Sequence, residues 1–301
     1  MEAVRVENVT KRYGQVTAVS GLDLVVRKGS LFGLLGPNGA GKTTTLRMLL
    51  RMLVPDEGNI QLFGEPLTDN SQNLTGYLPE ERGLYPRMKV RDNLVFLASL
   101  KGISEAEARI RAHSWLERLE LGKWADHKVI DLSKGMQQKV QFIAAIIHNP
   151  PLLILDEPFA GLDPVNATIV KDLMLGFKDQ GTTVILSTHR MEQVEMMCES
   201  ICLIHAGRKV LDGELKAIKK SYGKNTLRME FEGDGNFLDL PGLIEKVNHY
   251  GEVVEAKLCP GADPQEILKL AIQRGVRVNR FELVEPPLND IFIERVSQDH
   301  A

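Results

Sequence analysis

Apolar and polar residues alternate from Val4 to Val9 and again from Leu22 to Val26, the period of strands with one buried face. Ser30–Gly36, "SLFGLLG", is a continuous apolar run ending in glycine and predicts a buried strand. Lys42–Leu53 predicts a helix stopped before Pro55, and Gly58–Leu67 a pair of strands turning at Gly64. From about Arg91 to Asn149 the pattern is mostly helical. Asn93–Gly102 reads as one amphipathic helix. Ser104–Leu121 reads as a second, with Ser104 and Glu107 at capping-box spacing. Ser133–Asn149 reads as a third, broken by Pro150 and Pro151. Leu152–Asp156 and Thr182–Thr188 are apolar, β-rich runs suited to buried parallel strands, with a helix over Pro164–Lys178 between them. Strands alternating with helices predict an α/β core, here interrupted by a helical insertion.

After about Gly213 the texture changes to a small repeating β-α pattern with turn-rich loops. It predicts strand over Thr226–Glu232, helix over Gly242–Gly251, strand over Val253–Leu258, helix over Pro264–Gly275, strand over Val276–Glu285 and helix over Pro287–Val296. The expected organisation is a core domain over 1–214, with a helical subdomain at about 80–150, and a small α+β domain over 215–301. The second part carries no catalytic motif.

Composition narrows the class. The chain has 301 residues, 43% of them hydrophobic, enough for ordinary globular cores. Its formal net charge of -3 gives no global attraction to nucleic acid or acidic membrane. The three cysteines, Cys198, Cys202 and Cys259, are too few and too odd for a disulfide framework and suit a reducing compartment. Cys198 and Cys202 would share a face if helical, and read as buried small hydrophobes rather than metal ligands. The N-terminus is too polar for a signal peptide, and no apolar run approaches the roughly 20 residues that cross a bilayer. The chain is expected to be soluble, with any membrane role reached through a partner.

Candidate chemistry begins at "GPNGAGKT", Gly36–Thr43, which matches G-x-x-x-x-G-K-[ST] in full. An apolar strand precedes it and a helix follows, the context that separates a phosphate loop from an incidental glycine-rich turn. Gly36, Gly39 and Gly41 let backbone N–H groups turn toward phosphate oxygens, and the helix N-terminus adds partial positive charge. Lys42 is expected on the β/γ oxygens and the Thr43 hydroxyl on Mg²⁺. "LLILDEP" then places Asp156 and Glu157 at the carboxyl end of a buried strand, where α/β sheets bind ligands. Asp156 suits Mg²⁺, and Glu157 suits polarising the water that attacks the γ-phosphate. His189, at the end of another such strand, is placed to reach that phosphate.

Five stretches fall in one order: "KRYGQVTAV", "GPNGAGKTT", "LSKGMQQK", "LLILDEPFAGLD" and "LSTHRMEQVE". Together they resemble the ATP-binding cassette of ABC transporters over about Val4–Gly213. The C-terminal extension, ending "EPPLNDIFIERV", resembles that of bacterial sodium-efflux and drug-export ABC ATPases. The resemblance implies a P-loop NTPase fold, ATP and Mg²⁺, and ATP hydrolysis coupled to transport. By the same resemblance Tyr13 stacks on adenine. Asn38 belongs to the phosphate loop, and Thr44 adds an α-phosphate contact. Asp156 is the Walker B acid, Glu157 the catalytic base and Asp163 a residue of the dimer seam. Ser133 and Gly135, in the signature "LSKGMQQK", contact the γ-phosphate held by the opposite subunit. Three positions depart from the family pattern, among them Met136, which stands where the signature often has Gln. Lys134 stands where the signature usually has Gly, and Glu80 stands where the Q-loop usually has Gln. An ionised Glu accepts only, and near Mg²⁺ it could serve as a ligand.

The resemblance also implies a head-to-tail dimer of two cassettes, most simply a homodimer. It implies a separate integral membrane permease and a place on the cytoplasmic side of the cell membrane. Export is favoured over import through the C-terminal extension alone, and the transported substrate is not written in this chain. A soluble ABC-type ATPase acting on nucleic acid or ribosomes is the rival reading. Such proteins usually carry two cassettes, a long coiled coil or basic arms, and none is visible here. A P-loop kinase or GTPase fits less well, because no guanine-reading Asn-Lys-x-Asp stretch is present.

Overall fold

The long alternation at the N-terminus forms a hairpin in the computed structural model, which describes residues 1–81, 83–233 and 235–298. Strands β1 (Glu2–Tyr13) and β2 (Val16–Arg27) pair antiparallel around a tight turn at Gly14–Gln15. Their buried valines and leucines, Val4, Val6, Val9, Leu22 and Leu24 among them, pack into one core cluster. The apolar run that follows is β3 (Leu31–Leu35), buried at every position, then α1 (Lys42–Leu49). The helix is shorter than Lys42–Leu53. Leu50 caps it, Arg51 takes a left-handed φ of 54° and Met52 is exposed, so the apolar run outlasts the core that it can reach. Next come β4 (Glu57–Leu62) and β5 (Glu65–Pro66), which turn at Phe63–Gly64 and complete a four-stranded sheet of order β2-β1-β4-β5.

The expected α/β core is a six-stranded sheet. It contains β6 (Thr75–Leu78) and, after the helical insertion of α2 (Val90–Ser99), α3 (Glu105–Arg118) and α4 (Lys134–Ile146), strand β7 (Leu152–Asp156). Then follow α5 (Pro164–Asp179), β8 (Thr183–Thr188), α6 (Met191–Met197), β9 (Ser200–His205) and β10 (Arg208–Glu214). The order is β10-β9-β3-β8-β7-β6, with β6, β7, β8, β3 and β9 parallel. Parallel strands put the ends of β3, β6, β7 and β8 on one edge, and four loops of chemical interest leave from it. At the start of α3, Ser104 accepts from the Glu107 N–H. The Glu107 carboxylate pairs with Arg111. Cys198 and Cys202 are buried, but not on one helix: Cys198 caps α6 and Cys202 lies in β9.

The chain divides into two compact units, Met1–Gly213 and the remainder from Glu214. The second contains α7 (Leu215–Ser221), β11 (Thr226–Glu232), β12 (Ile244–Tyr250), β13 (Val253–Leu258), α8 (Pro264–Gln273), β14 (Arg277–Val284) and α9 (Leu288–Gln298). Its sheet has the order β12-β13-β11-β14 and is antiparallel throughout.

One expected helix is a strand. Gly242–Gly251 contains β12, which pairs with β13 across the turn Gly251–Glu252. Ile244 and Val247 stand three apart, a helical spacing. A register shift between Ile244 and Lys246 inserts one residue, so both apolar side chains meet the same core. A bulge therefore imitates the period of a helix.

Candidate functional site

The loop after β3 is shaped by two glycines, Gly36 and Gly41, at which a side chain would meet backbone. Gly36 has φ 153°, and a Cβ there would lie 2.2 Å from the carbonyl oxygen of Ile204. Gly41, the N-cap of α1, has φ 108°, and its Cβ would lie 2.5 Å from the Ala18 carbonyl oxygen on β2. Asn38 and Gly39 form the exposed tip. Lys42 is buried and donates from Nζ to the carbonyl oxygens of Gly36, at 2.8 Å, and Pro37, at 3.1 Å. The lysine thus spans its own loop. Burial pulls its pKa below the ordinary lysine value, while the carboxylates of Glu157, Asp156 and Glu80 work the other way.

Asp156 ends β7 with 1% of its surface exposed. Its carboxylate accepts from Ser187 Oγ at 2.8 Å and from Thr43 Oγ1 at 3.2 Å. Burial pushes its pKa up, and the two hydroxyls oppose the shift. A buried carboxylate beside the Thr43 hydroxyl is a pair of hard oxygen donors, the chemistry that Mg²⁺ takes.

Glu157 follows in the left-handed region, with φ 48°, a conformation that costs about 1 kcal/mol or more for a residue with a side chain. The turn redirects the side chain, and its carboxylate is fully engaged. Oε1 accepts from the His189 N–H at 2.9 Å and lies 2.6 Å from His189 Nδ1; Oε2 accepts from Thr188 Oγ1 at 2.9 Å. The structure therefore brings together Gly36, Lys42, Thr43, Asp156, Glu157 and His189, all at one sheet edge. Glu80, exposed in the loop after β6, is near enough to act on Lys42 electrostatically. Tyr13 is 47% exposed at the tip of the β1–β2 hairpin, whose second strand presents Ala18 to Gly41.

The signature residues form a second group. Ser133 is the exposed N-cap of α4 and accepts from the Met136 N–H at 3.3 Å. Lys134, next to it, is exposed. Gly135 stands against Asn166, in the first turn of α5, with a Cβ position 3.2 Å from its side chain. Asp163 caps α5 by accepting from the Asn166 N–H at 3.0 Å, and that bond holds its carboxyl below the usual range. Two helix N-termini, α4 capped by Ser133 and α5 capped by Asp163, thus meet where Gly135 stands against Asn166.

Sequence reasoning missed the side chains that hold these groups in place. Ser187 and Thr188 are buried and reach Asp156 and Glu157 only because β8 pairs with β7, with Asp156 opposite Ser187. Gln138 donates to the Pro158 carbonyl at 3.3 Å, and Gln141 to those of Pro79 and Glu81, each at 3.1 Å. The one available signal is position: both hydroxyls immediately precede His189 at a strand end.

Comparison with known proteins gives the same picture. The family profile described as ABC transporter matches residues 19–160, and that of the ATP-binding protein DrrA1-3-like C-terminal domain matches residues 213–296. The uncharacterized ABC transporter ATP-binding protein YhaQ of Bacillus subtilis is 46% identical over 291 residues, 97% of each chain. A Nod factor export ATP-binding protein I of Ralstonia nicotianae is 38% identical, over 87% of this chain and 83% of its own. Among solved structures, an ATP-binding subunit of an ABC transporter matches with a TM-score of 0.68 at 32% identity, over 73% of this chain and 93% of its own. The dimeric, post-hydrolysis ATP-binding cassette MJ0796 bound to ADP and Pi matches with a TM-score of 0.65 at 27% identity, over 70% of this chain and 98% of its own. With its strand-end acids, its phosphate loop and near-full-length relatives, the chain belongs to the ATP-binding proteins of ABC transporters and is an ATPase of that family.

Proposed function

We propose that this chain is the motor of an exporter, and that it closes head to tail on a second copy around two ATP molecules. The observation that carries the reading is that the candidate residues fall into two groups, each held by its own contacts. The phosphate loop, Asp156, Glu157 and His189 form one, and Ser133, Gly135 and Asp163 form a second, in which Ser133 and Asp163 are exposed. In a head-to-tail pair the second group of one copy faces the γ-phosphate held by the first group of the other. The N-terminal dipole of α4 and the Lys134 charge then favour that phosphate. Tyr13 stacks on adenine, Thr44 contacts the α-phosphate, and Lys42 leaves its loop carbonyls for the β/γ oxygens.

Thr43 and Asp156 would hold Mg²⁺, with Glu80 as a further oxygen donor; the ion would neutralise charge on the phosphates. Glu157 takes a proton from the attacking water, and His189 orients Glu157 and contacts the γ-phosphate. Loss of the γ-phosphate removes contacts across the seam and shifts the population back to open. Among the described residues no helix is long and apolar enough to cross a membrane; membership among the ATP-binding proteins of ABC transporters supports a permease partner. Tyr85, Phe96 and Ile130 are exposed on and around the helical insertion and offer apolar surface for it. Relatives named for Nod factor export support the outward direction.

The test is purification of the tagged chain from native membranes, together with Glu157→Gln. An integral membrane protein should co-purify. The variant should bind ATP, hydrolyse it at least about 100-fold more slowly and accumulate as an ATP-bound dimer. Hydrolysis at the wild-type rate would remove Glu157 from the role of base.

A further inference from the structure

We propose that Thr188 is a positioning residue for hydrolysis, whose hydroxyl keeps the Glu157 carboxylate aimed while the His189 ring is engaged elsewhere. The proposal rests on the reading of Glu157 as the base. Three donors meet that carboxylate: the His189 backbone N–H, the His189 ring and the Thr188 hydroxyl. They differ in how well they can be kept. The His189 side chain is 51% exposed, so water competes for its bond to Glu157. Thr188 has no exposed surface, so water does not reach it.

The Thr188 hydroxyl is also fixed in direction. Its oxygen accepts from the Arg190 N–H at 3.1 Å. A hydroxyl whose lone pair receives an N–H has its own proton left to give, and the Glu157 oxygen at 2.9 Å is there to receive it. The β-branch of threonine restricts χ1 further. Register supplies the rest: Leu35 of β3, the last residue before the phosphate loop, pairs with Thr188, and Asp156 pairs with Ser187. The strand that carries Thr188 thus runs between the phosphate loop strand and the acid strand. Consecutive hydroxyls on it hold consecutive acids, Ser187 to Asp156 and Thr188 to Glu157.

Glu157 needs such a restraint because its backbone stands at φ 48°, outside the β-region that its own strand would provide. The ring holds the carboxylate through Nδ1 and has Nε2 left for the γ-phosphate, so a shift of the ring toward phosphate loosens the Nδ1 contact. When His189 turns to phosphate, Thr188 and the His189 N–H remain on the two separate oxygens and preserve the direction of the carboxylate. No proton moves through Thr188; it acts on Glu157 alone.

The experiment measures steady-state hydrolysis and equilibrium binding of ATP by the full chain carrying Thr188→Val, Thr188→Ser and Thr188→Ala, each alone and with Glu157→Gln. Thr188→Val should lower kcat by about 10- to 100-fold with KM and ATP affinity within about twofold, and Thr188→Ser should restore kcat to within about threefold. On the Glu157→Gln background, Thr188→Val should lower residual hydrolysis no further, because its effect passes through the carboxylate. A role in packing alone predicts the opposite: equal losses on both backgrounds and no rescue by serine. Wild-type kcat in Thr188→Val overturns the proposal. If Thr188→Val does not fold, kcat in Thr188→Ala at the wild-type level overturns it equally. Retained hydrolysis in Glu157→Gln overturns the base assignment, and the proposal with it. A dead Glu157→Gln beside an active Thr188→Val removes the positioning role and leaves the base in place.

Discussion

Gln141 Nε2 lies 3.1 Å from the carbonyl oxygen of Glu81, and the same nitrogen lies 3.1 Å from that of Pro79. One amide therefore bonds the backbone on both sides of Glu80. Gln141 is 4% exposed and sits two turns along the helix that Ser133 caps. Gln138, from the same helix, donates to the carbonyl oxygen of Pro158, just past Glu157. The helix thus links the surface group to both loops of its own phosphate site. Replacing Gln141 by Leu removes the donor and leaves two carbonyl oxygens to find water, at a cost of about 1–3 kcal/mol. The expected result is faster amide exchange at Glu80 and Glu81, unchanged ATP binding by the monomer, and hydrolysis slowed by about 3- to 30-fold. Exchange at Glu80 and Glu81 identical to wild type would sink this link.

What the sequence reveals follows from how local the interaction is. The phosphate loop is legible because its glycines, Lys42 and Thr43 act within eight consecutive residues, Gly36–Thr43. Asp156 and Glu157 are legible because an apolar strand ending in acids points to a sheet edge. Ser187 and Thr188 are not, since a hydroxyl has no fixed role until pairing of β7 with β8 brings it to an acid 31 residues earlier in the chain. Gln141 belongs to the same class, 60 residues from Glu81. The strand β12 was hidden for a different reason. Its two apolar residues carry a helical spacing, and only the bulge that β13 imposes makes them face one side.

The glycines of the phosphate loop separate into two kinds. At Gly36 an added Cβ would overlap the Ile204 carbonyl oxygen, at 2.2 Å, and also press on the Ala40 Cβ at 3.0 Å. At Gly39, with φ 79°, nothing lies within 4 Å. Gly36→Ala therefore forces backbone to move and should cost about 3 kcal/mol or more, whereas Gly39→Ala bears only left-handed strain, about 1 kcal/mol. For a unit of this size the expected fall in Tm is about 2–4 °C for Gly39→Ala and about three times that for Gly36→Ala. Equal shifts in the two variants, measured by calorimetry, would contradict the steric account.

His148 gives the fold a dependence on pH away from the phosphate site. Its Nε2 lies 3.1 Å from the carbonyl oxygen of Thr75, at the start of β6. Burial pushes its pKa from the ordinary 6.5 down to about 4; the nearby charges of Lys101 and Arg111 add to the shift, and the bond to Thr75 opposes it. Lys101 is itself turned inward, donating to the carbonyl oxygens of Gln72 and Thr75, while Arg111 bonds that of Ile147. The cations are thereby held beside the imidazole. The folded pKa lies below the unfolded one, so the unfolded chain takes up the proton first. Stability is full above the unfolded value of 6.5, falls as pH drops below it, and reaches its floor once pH passes the folded value of about 4. Between about pH 7.5 and pH 5 the loss attributable to this residue should be about 1–2 kcal/mol, after allowance for solvent around a half-buried ring. His148→Gln keeps a donor for Thr75 and has no proton to gain. Urea unfolding of both proteins at the two pH values is the measurement: the variant should lose less stability on acidification than the wild type, by that amount. An identical pH dependence would place the acid sensitivity of the fold elsewhere.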